Sequence, residues 1–475
     1  MTEEKANSPA PKRRRRRRRR TPATQGSPAS ASAEAQAEGG AAAAPETDEA
    51  TTGEPSKRTR RRRRRSGGGG ESASGNGAAP AEGKAPRERV ELRGVVELAG
   101  GPKGKGGRGK GGGGNSPAFL RQPGEDLAAL KTDPEVPAAL VRKYGLKDGM
   151  MVEGIGSRSG KKVPRLEELT LLDGQPPKET RQRRGFKKLT VIDPDFHYEL
   201  GPFEQEGQLS MRVLDLLCPI GRGQRGLLVA PPRTGKTTLL MNVATAMQAL
   251  YPDVHLIVLL IDERPEEATY WRRSVEHGEV YVSTMDQSPK NHVRLAEMVQ
   301  ARAERLVESG QEVVILLDSI TRLTRAYNNV LGGKESRTMS GGLDARVFQK
   351  PKHFFGAARN TEDGGSLTIF ASALVDTGSR MDQVIYEEFK GTGNMELTLD
   401  RRLADRRIFP AVSIEHSATR KEEKLLTRTT LRKVNILRRV LSRLRPREAM
   451  EMLIDRLDRY PSNQEFLNAF STDDV

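Results

Sequence analysis

Apolar positions are distributed very unevenly along this chain. Between residues 2 and 89 there is no Val, Ile, Leu, Phe, Tyr or Trp. A stretch with nothing to bury cannot offset the entropy of folding, so residues 1–88 are predicted to be a disordered tail. Apolar residues begin near Val90. Glu91–Leu98 alternates in a partly strand-like way, and Gly100–Gly114 is a second low-complexity run, rich in Gly and Lys. Ala118–Arg121, Val136–Tyr144, a turn at Lys147-Asp148-Gly149 and a strand-like Met150–Gly154 follow. Short strands with Gly-rich turns predict a small β-barrel.

From about Phe186 the pattern changes. Leu227–Val229, Leu256–Ile261, Val313–Leu317 and Leu367–Leu374 are short and largely apolar, which suits parallel strands buried on both faces. Helical periodicity fills the gaps. His292–Ser309 places Leu295, Met298, Val299 and Leu306 on one face, and Gly310 is placed to end the helix. Arg302 interrupts that stripe, so this helix is expected to be half buried. The stretch from Lys421 to Tyr460 is helical by period. Alternating strands and helices predict an α/β domain with a parallel sheet. The expected division is a tail at 1–88, a barrel of the oligonucleotide-binding type at 89–175 and an α/β domain at 176–475. From the barrel segment alone RNA binding stays open, because Phe119 could be core or a stacking platform.

Charge adds a partner class. The 475 residues carry a formal net charge of +17. Residues 1–88 hold 20 Lys and Arg against 11 Asp and Glu, with arginine blocks at Arg13–Arg20 and Arg60–Arg65. The tail is either a solvated linker or a salt-sensitive clamp on a polyanion, and blocks this long favour the clamp. A single cysteine, Cys218, cannot form an internal disulfide or a cysteine-rich zinc site and fits a reducing compartment. No apolar run reaches the ~18 residues of a membrane span, and the N-terminus lacks the apolar core of a secretory signal.

Candidate chemistry centres on Ala230-Pro-Pro-Arg-Thr-Gly-Lys-Thr237, between an apolar strand and a helix. Backbone N–H groups of such a loop wrap phosphates, Lys236 reaches the outer ones and the Thr237 hydroxyl helps hold Mg²⁺. Ala230 stands where the usual pattern has glycine. Pro232, Arg233, Thr234, Gly235 and Thr238 complete the expected cradle for ATP. Leu316-Leu-Asp318 ends one strand in a carboxylate suited to hold the metal through water. Leu259-Leu-Ile-Asp-Glu263 ends another in two acids, with Glu263 placed to orient or deprotonate water. Each acid alone could be a strand-end salt bridge; together, after a phosphate loop, they read as one hydrolytic site.

Several runs resemble the bacterial transcription termination factor Rho family. They are Arg212–Leu217, Pro219–Gly226, Ala230–Thr237, Leu259–Glu267, Leu316–Leu323, Phe354–Asn360, Gly364–Ile369 and Ile385–Glu396, in the same order. The family also writes its phosphate loop with Ala-Pro-Pro. The resemblance implies a RecA-like motor, a homohexamer that moves along single-stranded RNA using ATP, terminates transcription by RNA polymerase and unwinds RNA–DNA hybrids. It implies a bacterial cytoplasmic location, with polymerase and elongation factors as partners.

By matching motifs, Glu263 activates water, Asp318 is the metal-site acid and Arg420 is an arginine finger reaching a neighbour's ATP. Arg407 is a second interface arginine and Phe409 packs on adenine. Arg337, Thr338, Met339, Ser340, Gly341 and Gly342 match a first RNA-gripping loop, and Lys390, Gly391, Thr392 and Gly393 a second. The family carries a cold-shock-like barrel as its primary RNA site, in which Phe119 and Arg121 keep matching positions, while its usual Gly-Phe-Gly-Phe is reduced here to Pro117-Ala118-Phe119. The family's helical N-terminal subdomain is not visible. Two readings from other classes stay open: a non-catalytic RNA-binding scaffold, and a DNA recombinase or rotary ATPase subunit.

Overall fold

The computed structural model describes residues 87–99, 116–180, 183–331, 343 and 346–469. Residues 1–86, the whole Gly/Lys run and residues 332–342 lie outside them.

Five strands close the expected barrel: β1 (Arg87–Leu98), β2 (Ala118–Arg121), β3 (Glu135–Val136), β4 (Met151–Ser159) and β5 (Arg165–Leu172), in the order β1-β2-β3-β5-β4. The first strand starts two residues inside the stretch expected to be tail. All neighbours are antiparallel except β3 with β5. Alternate residues such as Leu92, Val96, Leu120, Val152 and Leu169 point into one core. The Val136–Tyr144 stretch divides between β3 and a short helix, α1 (Ala138–Tyr144).

The second region is built on a seven-stranded sheet. Its strands are β6 (Arg225–Ala230), β7 (His255–Glu263), β8 (Glu279–Thr284), β9 (Glu312–Asp318), β10 (Ser366–Leu374), β11 (Met395–Thr398) and β12 (Ala418–Thr419). They run β8-β7-β9-β10-β6-β11-β12, parallel except for β12 at the edge. The four apolar runs are the strands that flank the site. Their residues alternate between two cores: Leu228, Val258, Leu260 and Leu316 face one, and Leu227, Ile257, Leu259 and Leu317 the other. Burial on both faces is why these strands read as unbroken apolar runs.

Around the sheet lie α2 (Gln208–Leu217), α3 (Lys236–Leu250), α4 (Pro265–Ser274), α5 (Pro289–Glu308), α6 (Ile320–Leu331) and α7 (Arg380–Lys390). The terminal stretch divides into α8 (Arg428–Leu441), α9 (Pro446–Leu457) and α10 (Asn463–Ala469), and of residues 421–427, which the period also read as helical, only Glu422–Lys424 form a single 3₁₀ turn. Helix α5 starts at Ser288, whose hydroxyl accepts from the Asn291 amide, and stops where Gly310 takes a φ of 88°.

Ten of the twenty residues of α5 are buried, so the helix is half buried as expected, but Arg302 is not the reason. Arg302 is only 5% exposed, so it does not turn the helix toward solvent. Its guanidinium lies 3.2 Å from Asp173 at the end of the barrel and 3.4 Å from Glu279 on β8. A buried cation is tolerated where carboxylates meet it. Helix α5 is therefore the floor on which the barrel rests. Arg294, on the same helix, grips Glu97 of β1, and Gly149 comes so close that a Cβ there would sit 2.3 Å from the Ala301 carbonyl carbon. Barrel and sheet form one compact unit.

Candidate functional site

Residues 231–235 connect β6 to α3 at the carboxyl ends of the parallel strands, where ligands collect in open α/β sheets. The loop is shaped by its own groups: the Thr234 hydroxyl donates to the Pro231 carbonyl at 2.8 Å, and Arg233 and Gly235 have φ of 65° and 86°. Pro232, Arg233 and Thr238 are exposed, while Thr234 is buried. The N-terminus of α3 leaves its first N–H groups, including those of Lys236 and Thr237, without partners inside the helix, which is an anion site by construction.

Three strand ends meet there. The Lys236 ammonium bonds both oxygens of Asp318 at the end of β9 and lies 3.7 Å from Glu263 at the end of β7. The Ser372 hydroxyl on β10 donates to Asp318 at 2.7 Å. Arg322, on α6, approaches Glu263 at 3.4 Å and Asp262 at 3.8 Å. Glu263 is 2% exposed, and its Oε1 has no hydrogen-bond partner among the described residues. Burial, reinforced by the Asp318 charge, pushes its carboxyl well above the usual range, with Lys236 and Arg322 pulling the other way. Asp262, Arg407 and Lys421 share the left-handed backbone of Arg233, and such non-glycine strain gathers at working sites.

Beside the loop is a cavity of about 340 Å³ whose lining includes Thr238, Leu239, Asn242, Leu399, Phe409 and Pro410. Phe409 is 44% exposed, and its ring lies 3.5 Å from where a Gly235 Cβ would be. A flat aromatic wall next to a phosphate loop has the shape and polarity of a base slot.

Other predicted residues lie apart from this cluster. Arg407 and Arg420 are exposed, and their guanidinium groups hold no ion pair or hydrogen bond among the described residues. Lys390 ends α7 with its ammonium 5.4 Å over the Tyr386 ring. Gly391, Thr392 and Gly393 follow as a turn in which the Thr392 amide donates to Phe389 at 2.8 Å, and the Thr392 carbonyl accepts from Arg225. Phe119 is half buried on β2. Arg121 is 8% exposed; its guanidinium lies 5.1 Å from the Phe119 ring centroid and is bonded by Asp133 and Glu97. Arg337, Thr338, Met339, Ser340, Gly341 and Gly342 fall outside the described residues.

The sequence reading missed Arg322, Ser372 and Asp133. A polar residue within an apolar strand was the available signal for Ser372. For Arg322 it was a basic residue one helical turn past Asp318.

Comparison with known proteins agrees with this geometry. The family model of the ATP synthase alpha/beta nucleotide-binding domain matches residues 210–419. A solved ATPase from the type III secretion system of pathogenic bacteria superimposes with a TM-score of 0.50 at 21% identity, covering 66% of this chain and 90% of that one, which shows a shared fold. The transcription termination factor Rho of Aquifex aeolicus is 48% identical over 389 residues, 80% of this chain and 85% of that protein. The Rho of Haemophilus influenzae is 49% identical over 352 residues, 73% and 83% of the two chains. Likeness to rotary and secretion ATPases thus reaches the fold, whereas identity at this level over most of both chains goes further: the chain belongs to the transcription termination factor Rho family, RNA-dependent ATPases that terminate transcription.

Proposed function

We propose that copies of this chain assemble into a hexameric ring that hydrolyses ATP between subunits and draws single-stranded RNA through its centre. The observation that carries this is a divided set of charges. Lys236, Glu263 and Asp318 meet beside the phosphate loop, whereas Arg420 and Arg407 stand exposed and unpaired among the described residues.

Backbone N–H groups of 233–238 and the Lys236 ammonium hold the ATP phosphates, and Phe409 stacks on adenine. Mg²⁺ suits the oxygen donors of Thr237 and Asp318, which would hold it together with phosphate oxygens, where it would offset their charge. Glu263 takes up the proton of the attacking water as the water oxygen bonds to the γ-phosphorus. The bond from that phosphorus to the β-γ bridging oxygen breaks, and ADP leaves with the electron pair. Arg420 of one subunit meets the γ-phosphate held by the next, a contribution of on the order of 10³–10⁵ in rate. Arg407 lines the same boundary.

Lys390 and Gly391–Gly393, with the 337–342 loop, contact RNA phosphates in the ring. Phe119 stacks on a base at the barrel, backed by Arg121. The basic tail adds phosphate contacts that compensate for the reduced aromatic motif. This activity belongs in the bacterial cytoplasm beside RNA polymerase and its elongation factors.

The test is steady-state ATP hydrolysis at fixed salt, with and without single-stranded RNA, for wild type and Arg420→Ala. RNA stimulation that disappears in the variant supports the shared site. No hydrolysis with any nucleic acid would return the non-catalytic scaffold, and stimulation by DNA alone would overturn the RNA motor.

A further inference from the structure

The segment that leads from the barrel into the α/β domain carries one carboxylate in a basic setting. Asp193 accepts hydrogen bonds from Lys421 at 2.8 and 2.9 Å and from Lys424 at 2.7 Å. Both lysines lie just past Arg420, and Lys421 has a left-handed backbone, φ 58°. The Arg420 side is tied separately: its amide donates to the Asn394 carbonyl at 2.8 Å, and the Thr419 hydroxyl to the Pro219 carbonyl at 2.9 Å. Arg420 is therefore bracketed, by sheet and loop contacts before it and by Asp193 after it.

Packing repeats the pattern. A Cβ on Gly221 would meet Pro194 at 2.7 Å and Leu425 at 2.8 Å, so the linker and the Arg420 loop converge on one point of the sheet domain. The linker is itself anchored. Val191–Ile192 pairs with Asn360–Thr361, and the Asn360 amide donates to Asp195 at 2.8 Å.

We infer that Asp193 is a positioning residue for Arg420, holding the turn after it so that its guanidinium reaches a neighbouring subunit's γ-phosphate. This rests on the trans-acting role proposed above for Arg420. Exposed ion pairs add little to stability. Their value here is geometric: one carboxylate shared by two lysines narrows the spread of a loop whose arginine must meet a phosphate within hydrogen-bond distance. Displacing a reacting or stabilising group by about 1 Å can cost 10²-fold in rate. Without Asp193, Lys421 would lose both of these hydrogen bonds and Lys424 the one it makes here. The tether also belongs to the segment that enters from the barrel.

The experiment measures RNA-stimulated ATP hydrolysis by the full chain for wild type, Asp193→Asn, Asp193→Glu, Lys421→Gln/Lys424→Gln, Arg420→Ala and Asp193→Asn/Arg420→Ala, with assembly followed by sedimentation. Asp193→Asn and the double lysine variant are each expected to lower kcat about tenfold, with KM for ATP within about twofold and assembly unchanged. Asp193→Glu should recover most of the rate. On top of Arg420→Ala, Asp193→Asn should cost nothing more.

If Arg420→Ala is inactive while Asp193→Asn and the lysine variant keep the wild-type kcat, the clamp is wrong and the finger stands. A further loss from Asp193→Asn in the Arg420→Ala background would mean that Asp193 acts elsewhere. Should Arg420→Ala keep full RNA stimulation, the finger reading fails first and Asp193 has nothing to position.

Discussion

At the scale of single residues, the site is a problem of charge placement. Lys236 stands between two carboxylates, and Arg322 faces the more buried one, so Glu263 is surrounded without being fully bonded. Glu263→Gln keeps the shape of the side chain and removes its basicity. RNA-stimulated kcat should fall about 10²–10⁴-fold while ATP binding persists, checked by turnover alongside nucleotide titration. Phe409→Ala removes the aromatic wall of the cavity and should raise KM for ATP about tenfold with kcat nearly kept, the signature of lost uniform binding. The phosphate loop and the two strand-end acids were legible because each is a short run whose spacing carries the chemistry. Arg322 and Ser372 were not, because they reach the acids only after separate strands are laid side by side.

At the scale of elements, α5 teaches most. Its apolar stripe named the helix correctly, yet Arg302 in that stripe looked like a sign of exposure. Periodicity reports only that a polar residue sits on the buried face, and not whether Asp173 and Glu279 wait there for it. The same group explains why β8 was missed: Glu279, Tyr281 and Ser283 alternate with apolar residues in a strand whose polar groups are satisfied by tertiary partners. The Tyr281 hydroxyl donates to Glu279 at 2.8 Å, and His255 lies 3.1 Å from it.

Burial opposes ionisation of Glu279, but His255, Arg302 and Tyr281 outweigh it and hold its carboxyl at about 2, below the usual 4.5. A depressed carboxylate stabilises the fold above the unfolded value, and that contribution fades as pH falls from 4.5 toward 2. Glu279→Gln should therefore be less stable than wild type at pH 7 by about 2–4 kcal/mol. The gap should narrow by about 1 kcal/mol on going to pH 4, read by thermal unfolding in parallel. Gly149→Ala adds a Cβ where none fits, at φ 85°. It should cost about 1–3 kcal/mol and expose the α1–β4 connection to protease.

For the whole molecule, positive charge is concentrated in the arginine blocks of the tail, away in sequence from the sheet domain that carries the phosphate loop. Removing residues 1–86 should weaken RNA binding at low salt and flatten the slope of log affinity against log salt. Unchanged affinity and slope would make the tail a linker. On the proposed shared site, mixing Arg420→Ala chains into wild-type assemblies should lower activity at least in proportion to the mutant fraction, since each altered chain would disable its neighbour's site while leaving its own intact. The tail's role was open in the sequence because composition gives charge without a binding partner. The alternation of strands and helices, by contrast, stated the architecture almost directly, since a two-faced sheet leaves few other ways to bury its apolar runs.

The seat of the barrel on α5 has an engineering consequence. Asp173, Glu97 and Gly149 belong to the barrel in sequence, but they serve the helix beneath it. A foreign barrel grafted onto this α/β domain would succeed only if it brought an acid for Arg302, an acid for Arg294 and a bare backbone over Ala301. Modules lacking them would leave the buried Arg302 with Glu279 alone and pry the junction apart. Compatibility between barrel and sheet domain is thus written in three positions that lie outside the cluster of Lys236, Glu263 and Asp318.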